Sequence, residues 1–190
     1  MIRAIITDFD GTLVDTFEAN YRAYQKAFAS VGLELTSERY RECFGYRYDC
    51  FMKEMGITDN AIANAIKELK KEYYPQFFQF FKLNTSLIHL ISGFKALGGK
   101  TAIASTARKE NLVNAINYLG IANHFDLIYA GTDVKNGKPN PEIYLKSMAA
   151  LSVTPEDTLI FEDSQVGIEA AIASKANYMI VSAKQFEQWK

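Results

Sequence analysis

Residues 2–16 read IRAIITDFDGTLVDT, and the reading of the whole chain starts from how this stretch is punctuated. Ile2, Ala4, Ile5 and Ile6 make an apolar run of strand length, and Asp8 and Asp10 stand directly after it. The run predicts a buried first strand capped by two carboxylates. Two like charges so close repel, and a nearby cation or a shared proton is the usual relief. Gly11 permits a tight turn, and Thr12 and Asp15 add polar side chains before a helix begins. Ligands of open parallel sheets collect at the carboxyl ends of the strands, so this pair marks a candidate site. Taken alone, the same letters also describe an acidic turn in which Asp15 or Thr16 caps the following helix.

Working outward, Phe17, Tyr21, Tyr24, Phe28 and Val31 fall on one helical face, and Gly32 stops that helix. Helical patterns continue to about residue 82. The segment YYPQFFQFF, residues 73–81, is the most aromatic in the chain. It predicts a helix with Phe77, Phe78, Phe80 and Phe81 on adjoining turns, packed as a seam in a small bundle rather than set out as a stacking platform for bases. From residue 87 the pattern becomes helix 87–97, strand 100–105, helix 109–119, strand 126–130, helix 140–151, strand 158–162, helix 164–175 and strand 178–182. Such alternation implies an α/β fold with a doubly wound, Rossmann-like parallel sheet covered on both faces. Residues 1–16 and 83–190 then form the core, and residues 17–82 are a helical insertion.

Composition narrows the classes. With 190 residues, 48% of them apolar, the chain can bury a substantial core. Twenty-one basic against 22 acidic residues leave no global field for a polyanion, and no basic run with interleaved aromatics occurs, so no nucleic-acid partner is expected. Residues 1–15 lack the features of a signal peptide, and no apolar stretch is long enough to span a bilayer; a cytoplasmic location without membrane attachment is expected. Cys43 and Cys50 are too few for a zinc site and form no CxxC, so they are read as reduced, partly buried thiols. His89 and His124 show no paired spacing and are read as structural. Oligomeric state is not legible.

The segment DFDGTLVDT resembles the first motif of the haloacid dehalogenase-like hydrolase superfamily, in which a nucleophilic aspartate is followed two residues later by an acid/base aspartate. Three further matches follow in order, each after a predicted strand: TAIAST ending at Ser105 and Thr106, GKPNPEIY around Lys138, and TLIFEDSQVG around Glu162 and Asp163. They span nearly the whole chain. The resemblance implies a phosphatase of the branch that includes β-phosphoglucomutase, with residues 17–82 as a helical cap of the C1 type. It implies Asp8 as nucleophile, Asp10 as general acid and base, and Ser105, with Thr106, on the transferred phosphoryl group. Mg²⁺ would be held by Asp8, the backbone carbonyl of Asp10, and Asp163, with Glu162 either a ligand or an orienting group.

The residue chemistry fits. Magnesium takes one or two carboxylates together with phosphate and water. Lys138, projected from the rigid Pro139-Asn140-Pro141 turn, can neutralise both phosphate and Asp8 as a point charge. Arg108 or Lys109 can assist, or can be solvated. Asp10 argues against a dehalogenase and against a phosphonatase, although Lys53 is available as the imine-forming cap lysine of the latter. A mutase of the β-phosphoglucomutase type remains the alternative; it has a histidine where Asn20 stands. A catalytically silent binding module would be expected to have lost one of Asp8, Asp10, Lys138 or Asp163. The substrate is expected to be a small phosphorylated metabolite, chosen by cap residues among which Asn20, Arg22, Arg47 and Tyr48 are the candidates.

Overall fold

A computed structural model describes residues 1–182 and Phe186. In chain order the elements are β1 (Ala4–Thr7), β2 (Val14–Asp15), α1 (Phe17–Ser30), α2 (Ser37–Glu42), α3 (Tyr48–Glu54), α4 (Asn60–Tyr73), β3 (Lys82–Leu83), α5 (Thr85–Ala96), β4 (Lys100–Ala104), α6 (Lys109–Leu119), β5 (Leu127–Tyr129), α7 (Glu142–Leu151), β6 (Thr158–Glu162), α8 (Gln165–Ala173) and β7 (Asn177–Ile180). The chain divides into two compact units, Met1–Asp15 with Lys82–Lys190, and Thr16–Phe81.

The first unit is built on a five-stranded sheet of order β5-β4-β1-β6-β7, parallel throughout. All four residues of β1 are buried, as a central strand with a covering layer on each face requires. Ile6 pairs with Ala102 on one side and Ile160 on the other, and all three join a core with Tyr144, Met148, Ala170 and Ala171. Each of the isoleucines and the methionine contributes roughly 1.5–3 kcal/mol by leaving water. Strand order reverses direction at β1, which makes its carboxyl end the topological switch point where ligands bind.

The predicted strands and helices of this unit are all present, with ends shifted by one or two residues. Strand β7 begins one residue earlier than expected and lies at the sheet edge with exposed side chains. One pairing has no periodicity to mark it in the sequence. Val14 and Asp15 pair antiparallel with Leu83 and Lys82, so the segments leading into and out of the helical unit run side by side. Asn84 pins them: its backbone N–H donates to Leu13 (2.8 Å), its amide to the Thr12 carbonyl (3.2 Å), and its side-chain oxygen caps α5 at Leu87 N–H (3.1 Å).

The helical unit packs α1 to α4 around Phe28, Leu35, Tyr40, Phe51, Met52 and Ile66. Tyr40 is its hub, with the rings of Phe17, Tyr21, Tyr24, Phe44 and Phe51 5.5–6.1 Å away. Thr36 and Asp59 cap α2 and α4 through their side-chain oxygens. The aromatic segment corrects the expectation: residues Tyr74–Phe80 form a 3₁₀ helix rather than an α-helix. Pro75 has no N–H to continue the α-type ladder from α4, and three residues per turn leave only Tyr74 and Phe78 fully inside. Cys43 is buried, but Cys50 is exposed, against the expectation for both.

Candidate active site

Two neighbouring strands deliver the acidic residues, and a third delivers a serine. Asp8 follows β1, and its N–H still donates to Phe161 of β6 (3.0 Å). Glu162 ends β6 and Asp163 comes next; Ser105 follows β4, held by its N–H on the Tyr129 carbonyl (3.0 Å). Gly11 turns the chain after Asp10 with φ of +92°, and a Cβ there would strike the Asp163 carboxylate. Both the backbone and the space demand glycine. Thr12 then donates to Asp163 Oδ1 (2.7 Å), and Ser105 Oγ donates to Asp10 Oδ2 (3.3 Å) while accepting from Ala107 N–H (3.0 Å).

Lys138 lies at the centre, with its side chain 2% exposed. Its ammonium donates to Asp8 Oδ1 (2.6 Å), Glu162 Oε1 (2.5 Å) and the Ala104 carbonyl (3.0 Å). Three protons meet three acceptors, which fixes the group's direction as well as its position. Glu162 is wholly buried and equally saturated. Its Oε1 also accepts from Tyr144 Oη (2.6 Å), and its Oε2 from the N–H of Asp163 (3.0 Å), the N–H of Ser164 (3.3 Å) and Ser164 Oγ (3.2 Å). Gly167, in the first turn of α8, leaves room for this carboxylate, since any Cβ would collide with it.

One ammonium serves two carboxylates, and they do not share it equally. Burial opposes the Lys138 charge, but Asp8 and Glu162 overcome it and hold the group well above the usual lysine range. Burial also opposes the Glu162 charge, yet Lys138 and the surrounding donors keep it ionised, below the usual carboxylate range. Asp8 is the group left over: burial drives it well above its ordinary value, Lys138 offsets part of this, and Glu162, Asp163 and Asp10 add to it. Burial likewise pushes Asp163 up to about 6, against the pull of Thr12. One oxygen each from Asp8, Glu162 and Asp163 lies within 4.8 Å of the others. Hard oxygen donors with surplus negative charge fit a small divalent cation, which would bring Asp8 and Asp163 back to ionisation.

The structure thus brings Asp8, Asp10, Ser105, Lys138, Glu162 and Asp163 together. Thr106 stands on the same loop, its carbonyl against Gly131. Lys109 is drawn away to Asp133 (2.9 Å), and Arg108 occupies the N-cap position of α6. Thr12 and Tyr144 were not singled out from sequence; both lie inside the matching segments, but their partners are 151 and 18 residues away. The four cap candidates have partners within the helical unit. Asn20 is buried and donates to Thr16 Oγ1 (3.0 Å) and Tyr74 Oη (3.2 Å). Arg22 pairs with Glu18 and Arg47 with Asp49, and Tyr48 donates to the Ala63 carbonyl.

Residues 5–181 match the family model of the haloacid dehalogenase-like hydrolases. The chain belongs to that family. A phosphorylated carbohydrates phosphatase of Thermotoga maritima is 32% identical over 174 residues, covering 90% of this chain and 80% of the relative. Among solved structures, a CbbY variant of Rhodobacter sphaeroides in complex with xylulose-(1,5)bisphosphate is 27% identical with a TM-score of 0.85, covering 95% of this chain and 86% of that one. A β-phosphoglucomutase from Clostridium difficile is 26% identical with a TM-score of 0.83, covering 97% and 86%. The parallel sheet and the helical cap region are those of this haloacid dehalogenase-like fold. Among the described residues, no helix is long and apolar enough to cross a membrane.

Proposed function

We propose that this haloacid dehalogenase-like hydrolase is a magnesium-dependent phosphatase acting on a small phosphorylated sugar or related metabolite. The observation that carries the reading is the Lys138 ammonium held 2.6 Å from Asp8 beside a second aspartate, Asp10, that Ser105 orients. A nucleophile, a proton carrier and fixed positive charge are what slow phosphate-ester hydrolysis needs. An Asp8 oxygen attacks phosphorus, the phosphorus–ester oxygen bond breaks, and Asp10 protonates the departing alkoxide. Water then attacks the aspartyl-phosphate, Asp10 takes back a proton, and the Asp8 carboxylate leaves with inorganic phosphate as product. Ser105 and Thr106 hold the equatorial oxygens, and Lys138 neutralises their charge. Asp8, Asp163 and the Asp10 carbonyl would hold Mg²⁺, which supplies further neutralisation of the phosphoryl charge. Glu162, with its acceptors filled, serves as the anchor of Lys138. The phosphorylated carbohydrates named for the Thermotoga relative and the sugar bisphosphate bound by CbbY support a sugar phosphate as substrate.

Asp10→Asn tests the assignment. Its loss is expected to be about 10²–10⁴-fold for an alkyl phosphate and much smaller for p-nitrophenyl phosphate, whose leaving oxygen hardly needs a proton. Equal losses on both esters would remove the acid role from Asp10. Magnesium binding should follow pH. Asp163 rises from 3.8 unfolded to about 6 folded, so its protonation favours the fold fully below 3.8, and that contribution fades as pH climbs through 6. The difference is about 3 kcal/mol at neutral pH, and Asp8 acts in the same direction. Mg²⁺ should therefore raise Tm more at pH 7.5 than at pH 5, and Asp163→Asn should flatten that dependence. Equal magnesium shifts at both pH values in the unaltered protein would contradict the site.

Similarity to a β-phosphoglucomutase favours a mutase as the second reading. Asn20 weighs against it, because an amide does not titrate and cannot help return a phosphoryl group to sugar. A sugar 1-phosphate should yield inorganic phosphate with no accumulation of the 6-phosphate, and Asn20→His alone should not change this. Isomer formed faster than phosphate would promote the mutase.

A further inference from the structure

We propose that Tyr144 is a positioning residue for Lys138, acting through Glu162. The proposal rests on the phosphatase reading. Tyr144 sits on α7, wholly buried, and its hydroxyl donates to Glu162 Oε1 (2.6 Å), the same oxygen that receives the lysine proton. Its ring lies under the ammonium, with Nζ 5.0 Å from the centroid.

The logic is one of saturated acceptors. Oε2 of Glu162 is filled by the turn that follows it, from Asp163 and Ser164, and those donors hold the carboxylate in place whatever else changes. Oε1 faces the site and is divided between Tyr144 and Lys138. With the hydroxyl in place, Lys138 is held in a three-way balance among Glu162, Asp8 and the Ala104 carbonyl. Without it, the buried Oε1 loses one of its two donors, and the ammonium is the donor that remains on it. Lys138 then moves toward Glu162 and away from Asp8, where charge develops as the phosphoryl group transfers. A group that matters most in the transition state should register in kcat rather than in KM.

Tyr144→Phe keeps the ring, its packing and its contact with the ammonium, and removes only the hydroxyl. With p-nitrophenyl phosphate and saturating Mg²⁺, kcat should fall about tenfold or more, while KM stays within about twofold. Inhibition by vanadate, which mimics the five-coordinate phosphoryl group, should weaken in step with kcat, whereas inhibition by inorganic phosphate should not. Glu162→Gln, with Tyr144 intact, should show the same pattern, and adding Tyr144→Phe to it should cost less than about twofold more. An unchanged kcat in Tyr144→Phe, losses that multiply across the two sites, or equal weakening of vanadate and phosphate would overturn the proposal. Absence of turnover in the unaltered protein across a panel of phosphate esters would instead remove the phosphatase reading, leaving the two failures distinct.

Discussion

Asp8→Asn is expected to lower turnover of every phosphate ester by on the order of 10⁴-fold or more while raising the melting temperature of the metal-free protein. The loss follows from chemistry: an amide cannot accept phosphorus, and water attacking directly would have no covalent intermediate to divide the barrier. The gain follows from burial. Asp8 titrates well above its ordinary range, because it is desolvated and surrounded by Glu162, Asp163 and Asp10 with half a share in one lysine. A carboxyl whose folded pKa is raised favours the fold only while protonated, and that advantage is gone once pH exceeds the folded value. At neutral pH the native aspartate is therefore a standing strain on the fold, and asparagine of the same shape removes it. The two effects should separate with pH: the stability gain shrinks as the native carboxyl becomes protonated, whereas the catalytic loss remains. Retained turnover with a denaturation curve identical to that of the parent would sink the nucleophile assignment.

Lys138→Met should act on both stability and rate. Removing one member of a buried, hydrogen-bonded ion pair costs about 3–5 kcal/mol, because the partner charges stay behind in a dry interior. Here two partners stay behind, Asp8 and Glu162, with side chains 8% and 0% exposed. The penalty should be greatest above neutrality and should ease as acid protonates the stranded carboxylates. Arginine should not rescue activity. Its planar fork spreads donors over several nitrogens, whereas Asp8, Glu162 and the Ala104 carbonyl converge on one. Urea unfolding at pH 5 and pH 8, beside single-turnover rates, would measure both effects. A loss of stability independent of pH would mean that the lysine is held by packing rather than by charge.

The sheet and the acidic site were legible for the same reason. Strands such as Ala4–Thr7 and Thr158–Glu162 are apolar because both faces are covered, and carboxylates placed directly after such runs contradict their surroundings unless they do chemistry. What stayed hidden depended on partners far away in sequence. Tyr144 reads as one more apolar residue of α7, and only the fold brings its hydroxyl to Glu162. Glu162 was ambiguous because a carboxylate beside Asp163 can serve a metal or a lysine, and the count of donors around it is a property of the folded chain. The aromatic segment at Tyr74–Phe80 departs from the expected helix type because its apolar spacing suits two periodicities and Pro75 interrupts the α-type ladder. Strands β2 and β3 have two residues each, too short to carry any periodicity.

That small ribbon makes the enzyme modular. Asp15 and Lys82 are paired residues on adjacent antiparallel strands, so to the sheet unit the whole excursion through residues 16–81 has the end points of a hairpin loop. Closing it with a two-residue Asn-Gly turn should be sterically natural and, spanning roughly five fewer doublings of loop length, should recover about 3 kcal/mol of closure entropy. An insertion whose ends meet in this way can be lengthened, exchanged or lost without altering the register of any core strand. On the proposed reading, in which this segment chooses the substrate and Asp8 and Lys138 do the chemistry, selectivity can change by swapping one segment, which gives a lineage, or an engineer, a way to vary the substrate without rebuilding the catalyst.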